Sequence, residues 1–488
     1  MASNVTGRSK RWRSSFWMAV EGVGRLLRQD RSFGTRAASL GLALLLGIVL
    51  GALVTYVPPL YLLAGIAGGV FAFLLLFKIE IAVMLAILLY QWLAQYNYLG
   101  GDTAMHPNGV IGVAIIGGAA YFFLHTRTDF SRLRGFWPFL AFSVIALLSL
   151  LSAGEYLMDG LTVTLRLVTA LAVYAVLVYR LDSVQRINWL ILAVLAGQLP
   201  STIQGLIRVV QGGGMDVVGG ADIVRAGNSG IGVRLAYIVA FCLVRLLGAG
   251  TTRDRLLWGC WTGLFSMGLF FSYGRAGWIG FAVVVALIGL IKYRKLLIIL
   301  PVVLILMIAF VPTVSLRFSE IDLRHLDDRS SSTIAGRIQV WRAGMEVYKR
   351  HPLLGVGYGV ERYGIGEYLA QYAWMAHNDY LGVLVGTGSV GLVLFMFWHL
   401  GWLRELFRVY RRAVSPYART MALAVFAAFA VSLAVRITDN VVQTMDKMLP
   451  LVALVAAAMA LPRIEGDQGS PQDTPKTRDI ASAAAGGR

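Results

Sequence analysis

Apolar runs of roughly 17–25 residues recur along this sequence, each long enough to cross the ~30 Å hydrocarbon core of a bilayer as a helix. About 14 can be placed, at 37–56, 60–77, 79–96, 109–125, 136–153, 159–180, 187–207, 229–247, 256–272, 276–291, 295–312, 377–401, 418–436 and 446–461. Inside lipid the backbone must satisfy its own hydrogen bonds, so such runs become helices. The chain therefore reads as an all-α polytopic membrane protein. With 57% hydrophobic and only 14% charged residues it is too apolar for a soluble globule. Arg253, Asp254 and Arg255 make 248–256 a loop, whereas the two runs flanking Arg275 also fit one bent region.

Five segments follow from this pattern. Residues 1–36 form a basic leader, and no small-residue cleavage pattern follows the first apolar run, so no cleaved signal peptide is expected. Residues 37–312 hold about 11 spans, 313–376 form one large polar loop, and 377–461 hold about three more spans. Residues 462–488, rich in Gly, Ser, Pro, Ala and charge, predict a disordered tail.

The distribution of Lys and Arg sets the orientation. With the N-terminus in the cytoplasm, the inner loops collect Lys78; Arg127, Arg132 and Arg134; Arg180 and Arg186; Arg245, Arg253 and Arg255; Lys292, Arg294 and Lys295; and Arg404, Arg408, Arg411, Arg412 and Arg419. The outer loops 97–108 and 153–159 hold none. Both termini are then cytoplasmic. The net charge of +18 is explained by these loops, and no nucleic-acid partner is expected. Cys242 and Cys260 both fall in apolar runs, and no Cys/His spacing suggests a metal site, so neither metal nor cofactor is expected.

Some outer segments break the charge rule. Arg225 and Arg275 lie in two short ones, and the loop 313–376 carries Arg317, Arg324, Arg329, Arg337, Arg342, Lys349, Arg350 and Arg362. Arg166, Arg234 and Arg436 sit within spans near their outer ends, where an arginine is costly without a partner or a polar cavity. A bound anion at the outer face would account for them. Pairing with Glu320, Asp322, Asp327, Asp328, Glu346, Glu361 and Glu367 is the plainer alternative for most of the loop arginines.

Within the loop, Ser330–Thr333 offer helix N-caps, and Ile334, Ile338, Trp341, Met345 and Tyr348 recur at helical spacing up to His351-Pro352. This predicts an amphipathic helix with Arg337 on the flank of its apolar face. Gly355, Gly357, Gly359, Gly364 and Gly366 follow, suited to close backbone approach or to lid motion. His377 opens the next span. The positive end of that helix and the nearby arginines disfavour imidazolium, and a neutral imidazole can accept a proton. Arginines on the same side match phosphate oxygens bidentately. Taken alone, a histidine at a span end also fits an interfacial packing role, the reading preferred for His106, His325 and His351. Asp379, two residues on, points away from His377 on a helix. No paired-carboxylate site, nucleophile elbow or phosphate-binding loop occurs.

Three stretches resemble the O-antigen ligase and polymerase superfamily of bacterial membrane glycosyltransferases. His377-Asn378, nine residues, then Gly388-Ser389-Val390-Gly391 resembles its histidine pattern. Gly336-Arg337 with Trp341, followed by Pro352-Leu353-Leu354-Gly355-Val356-Gly357, resembles the run before that histidine. Ser272-Tyr273-Gly274-Arg275-Ala276-Gly277-Trp278 resembles its serine–arginine–tryptophan segment, here with Tyr273 and Gly274 between serine and arginine. The resemblance covers roughly residues 220–395. It implies a GT-C-like, metal-independent, inverting glycosyltransferase in the bacterial inner membrane, with its active site in a large periplasmic loop. The donor would be a glycan on undecaprenyl diphosphate and the acceptor lipid A-core or another glycan. Carried over, His377 is the base, and Arg275 and Arg337 bind the diphosphate, with Arg225 as a further candidate. A polymerase extending the glycan on its carrier would use the same site. A transporter or flippase is the rival from another class; Gln198, Pro200 and Gln204 interrupt one span in its favour, but there is no internal repeat.

Overall fold

The computed structural model describes residues 59–93, 107–126, 133–210, 227–272, 274–310, 333–370 and 375–469, which are helices and connecting turns without a strand. The expected leader, the first apolar run, Arg225, His106, the loop stretch 313–332 with His325, and the tail beyond 469 lie outside the described residues. The chain forms two compact units, Met1–Lys78 and Ile79–Arg488. In the first, α1 (Pro59–Phe77) is an apolar helix whose Phe73 and Phe77 rings lie 4.7 Å apart.

The second unit runs through α2 (Ile79–Leu93), α3 (Pro107–His125), α4 (Phe136–Ser149), α5 (Leu157–Arg180), α6 (Val184–Val210), α7 (Gly227–Leu247), α8 (Thr252–Phe271), α9 (Arg275–Ile291) and α10 (Leu296–Phe310). It continues with α11 (Thr333–Arg350), α12 (Glu361–Tyr368), α13 (Asp379–Arg412), α14 (Pro416–Val435) and α15 (Met445–Gly469). Each apolar run from 60–77 onward thus coincides with a helix. By length and composition, five helical stretches among the described residues suffice to cross a membrane: Gly154–Arg180, Val184–Ile207, Asp379–Arg412, Pro416–Val435 and Met445–Gly466. Several shorter apolar helices accompany them.

Packing sorts the outer helices into two faces. On α4, Phe139, Phe142 and Ala146 are buried while Trp137, Val144, Leu147 and Leu148 are exposed, as expected of a helix with one side toward protein and one toward lipid. The buried side meets α13, where the Phe139 and Trp398 rings stack at 3.9 Å and Trp402 donates its indole N–H to the Gly135 carbonyl at 3.0 Å. Aromatic pairs of this kind add about 0.5–1.5 kcal/mol each beyond contact area. The α15 helix is enclosed along Leu449–Leu461, against α5, α13 and α14. The α7 helix packs against α8, α9 and α14.

The amphipathic helix is present as α11, with the centre of its buried face shifted from the expected row, of which Trp341 and Tyr348 still pack at the edge. Val340, Ala343 and Val347 pack with Ile365, Ala376, Leu381 and Val385, while Trp341 and Tyr348 flank this cluster and Met345 is exposed. Small and β-branched side chains let α11 approach α12 and α13 closely, so they displace the larger residues from the contact.

Candidate functional site

The site is built where α13 begins and where it breaks. At Gly388 the backbone leaves the helix (φ 66°, ψ −170°), and the segment after α11 fills the gap. Val356 and Gly357 donate N–H groups to the carbonyls of Val385 and Gly386 at 3.1 and 2.9 Å, and Ser389 N–H donates to the Pro352 carbonyl at 2.8 Å. Tyr348 and Ser389 share a hydroxyl hydrogen bond of 2.7 Å, and Ser389 Oγ also donates to the Pro352 carbonyl. The broken ladder is thus satisfied by another backbone, which is how non-helical chain is tolerated in such a bundle. A side chain at Gly388 would run into the Leu353 carbonyl, and one at Gly355 (φ 71°) into Gly386. Of the two uses open to these glycines, the structure displays close approach.

His377 lies just upstream of this joint, in the turn before α13. Its backbone is left-handed (φ 46°), which costs a residue with a Cβ about 1–3 kcal/mol and persists only where neighbours impose it. They do so from both sides. Trp341 of α11 donates its indole N–H to the Ala376 carbonyl at 2.8 Å. Asn378 caps α13, its Oδ1 accepting from Leu381 N–H at 3.1 Å. The imidazole is left exposed. Even so, protein crowding and then the charge of Arg337 hold it below the ordinary histidine range, partly offset by Asp439.

Arg337 is half-buried, and its guanidinium is itself destabilised, first by desolvation and also by the like charge of Arg275, with Asp439 acting the other way. Arg337 therefore lies within electrostatic reach of His377 on one side and of Arg275 on the other. Arg275 is set by its own staple. Ser272 Oγ donates to the Leu269 carbonyl at 2.7 Å and accepts from Gly274 N–H, and Trp278 Nε1 donates to the same carbonyl at 3.0 Å. The serine and tryptophan thus fold α8 back into α9 and leave Arg275 in the first turn of α9. The two runs around Arg275 are separate helices. Of the four expected site residues, Arg337 is in electrostatic reach of His377 and of Arg275, and Arg225 lies outside the described residues.

Beneath His377 is a polar layer that sequence reasoning missed in part. Asp379 is buried, accepts the N–H groups of Val441 and Val442 at 3.0 and 3.1 Å, and pairs with Arg436 at 3.4 Å. Arg436 returns its carbonyl to Asp379 N–H at 2.9 Å. Buried Asp439 and Lys447 pair at 2.8 Å, and Arg234 pairs with Asp446 at 2.7 Å. Partners for Arg234 and Arg436 were expected from their place in spans, but the carboxylates that serve them were not. The one sequence signal was the polar run Arg436-Ile437-Thr438-Asp439-Asn440 between two apolar stretches. Glu361 accepts from Gln443 at 2.6 Å, and burial pushes its carboxyl upward.

Among the described residues no group of His, Cys, Asp and Glu could hold a metal ion. Cys242 and Cys260 are both free thiols, one buried and one exposed. What the arrangement offers chemically is an accessible imidazole, held below the ordinary histidine range, in electrostatic reach of Arg337, which is itself in reach of Arg275. A comparison with curated proteins finds no match. Residues 260–396, from α8 through the first half of α13 and so including Arg275, Arg337 and His377, match the family model described as O-Antigen ligase, which supports placing the chain with the O-antigen ligase and polymerase superfamily it resembles.

Proposed function

We propose that this chain is an O-antigen ligase-like, GT-C-type glycosyltransferase of the bacterial inner membrane, acting at the periplasmic face with both termini in the cytoplasm. It transfers a glycan from undecaprenyl diphosphate to a hydroxyl of lipid A-core or a similar acceptor. His377 takes the proton from that hydroxyl as its oxygen attacks the anomeric carbon. The bond from that carbon to the diphosphate breaks with inversion, and the diphosphate leaves with the electron pair. Arg275 and Arg337, with Arg225 as a further candidate, hold the diphosphate and stabilise the charge it gains, so no metal is required.

The observation carrying this reading is the placement of an exposed imidazole, its pKa held down by its surroundings, within electrostatic reach of Arg337, a guanidinium that in turn feels the charge of Arg275. The test is a deletion strain complemented with wild type or His377→Ala, with lipopolysaccharide and the undecaprenyl-linked pool resolved on gels. Long glycan stranded on the carrier, rescued by wild type but not by His377→Ala, is the expected result. Accumulation of single repeat units would mean a polymerase. A pool stranded on the cytoplasmic face would mean a transporter. Normal product from His377→Ala would remove the proposed base.

A further inference from the structure

At the other end of α13, beyond the break at Gly388, the bundle opens a pocket. It has a volume of about 360 Å³ and is lined by Ile291 at the end of α9, Phe407, Tyr410 and Arg411 on α13, and Arg419 on α14. Its chemistry is split. Phe407 is an exposed apolar ring, tilted against Phe426 (centroids 5.6 Å apart) and Tyr410 (6.0 Å). The cationic part is Arg411 and Arg419. Arg411 is exposed and has no ion-pair partner among the described residues. Arg419 has one arm fixed, Nη2 donating to the Ala413 carbonyl at 3.1 Å.

The neighbouring charges leave these two available. Arg408 is taken up by Glu405. Glu465 feels the charge of Arg419, but its two oxygens accept the N–H groups of Ser415 and Val414 at 2.7 and 3.2 Å. Lys292, Arg294 and Lys295 follow directly on Ile291. A cavity joining two guanidinium groups to an aromatic, aliphatic floor, at the end of the bundle that the positive-inside rule places in the cytoplasm, matches an anionic amphiphile at the bilayer surface. A soluble anion would have no use for the apolar half.

We propose that this pocket binds the phosphate head group of an anionic glycerophospholipid, with Arg411 and Arg419 on the phosphate and Phe407 and Ile291 against the glycerol and first acyl carbons. The site is independent of the chemistry assigned to His377. It is tested by native mass spectrometry of the full chain in detergent, titrated with phosphatidylglycerol, phosphatidylcholine or inorganic phosphate. Wild type should retain phosphatidylglycerol in preference to phosphatidylcholine. Arg411→Gln should weaken that retention roughly fivefold, and Arg411→Gln with Arg419→Gln by more than tenfold. Arg412→Gln, one residue outside the pocket, should bind as wild type does. Arg411 is exposed and supports no described contact, so its single variant reports on binding even if the double variant folds poorly. Equal retention of the two lipids, unchanged retention by Arg411→Gln, or equal competition by inorganic phosphate at the lipid's own concentration would overturn the proposal.

Discussion

The indole N–H of Trp341 points at the carbonyl of Ala376, 2.8 Å away, so the helix carrying Arg337 and the turn carrying His377 are fastened together four residues from the one and one residue from the other. This bond ties together the two elements that carry a guanidinium and an imidazole in electrostatic reach of each other. Trp341→Phe keeps the aromatic packing and removes the bond. Net stability should fall by only about 1 kcal/mol. Glycan transfer should fall further, by roughly ten- to a hundredfold, because small misplacements of reacting groups are costly. Melting in detergent and product formation, measured on the same preparation, separate the two effects; equal and small losses in both would contradict a positioning role.

Asp379 and Arg436 form a pair from which water is excluded, their side chains 1% and 2% exposed. Removing one member leaves the other charge buried, which costs about 3–5 kcal/mol, whereas replacing both with apolar groups is often close to neutral. Arg436→Met alone should therefore lower thermal stability strongly. The Asp379→Leu, Arg436→Met double variant should recover much of that loss, although the N–H groups of Val441 and Val442 would still lack their acceptor. A double variant no more stable than the worse single one would show that those backbone bonds, rather than the ion pair, hold the joint.

What the sequence allowed one to read follows from how local each signal is. Apolar length and charge asymmetry are local, so the helices from Pro59 onward fall where the hydropathy places them. Arg275, Arg337 and His377 are marked by short motifs, and the structure sets Arg337 in electrostatic reach of each of the other two. The buried face of α11 is centred beside the row of larger side chains that hydrophobicity alone picks out, with Trp341 and Tyr348 at its edge. In the fold the contact selects Val340, Ala343 and Val347, which permit close approach. The Asp439–Lys447 and Asp379–Arg436 pairs join residues brought together by tertiary structure or held in one turn, which no periodicity announces.

Gly388 ties the family-like glycine pattern to a physical need. Its conformation belongs to a region that only glycine enters readily, and a methyl group would strike the Leu353 carbonyl. Gly388→Ala should cost roughly 3 kcal/mol or more, combining backbone strain with the clash. It should also displace the segment 352–357 that fills the break in α13. Loss of folded protein in fluorescence-detected size exclusion is the expected result; Val390→Ala, at a partly exposed neighbouring position, should elute as wild type does. Normal folding and activity of Gly388→Ala would mean that the break in α13 is dispensable.

The pH dependence of transfer should carry the signature of His377. In the proposed mechanism the neutral imidazole is the active form, so activity should be retained above the folded-state pKa and lost as pH falls through it. Desolvation and Arg337 lower that pKa, which puts the acid limb at a lower pH than an ordinary histidine would give. Asp439 raises it and Lys447 lowers it, and the two are paired at 2.8 Å. Asp439→Asn removes the raising influence and uncovers the lowering one, so both changes act in the same direction and the acid limb should move further down. The profile should be taken as kcat/KM, which reports on the free enzyme, before bound diphosphate adds its own charge. An acid limb that stays in place, or moves to higher pH, in Asp439→Asn would show that the titrating group is not His377.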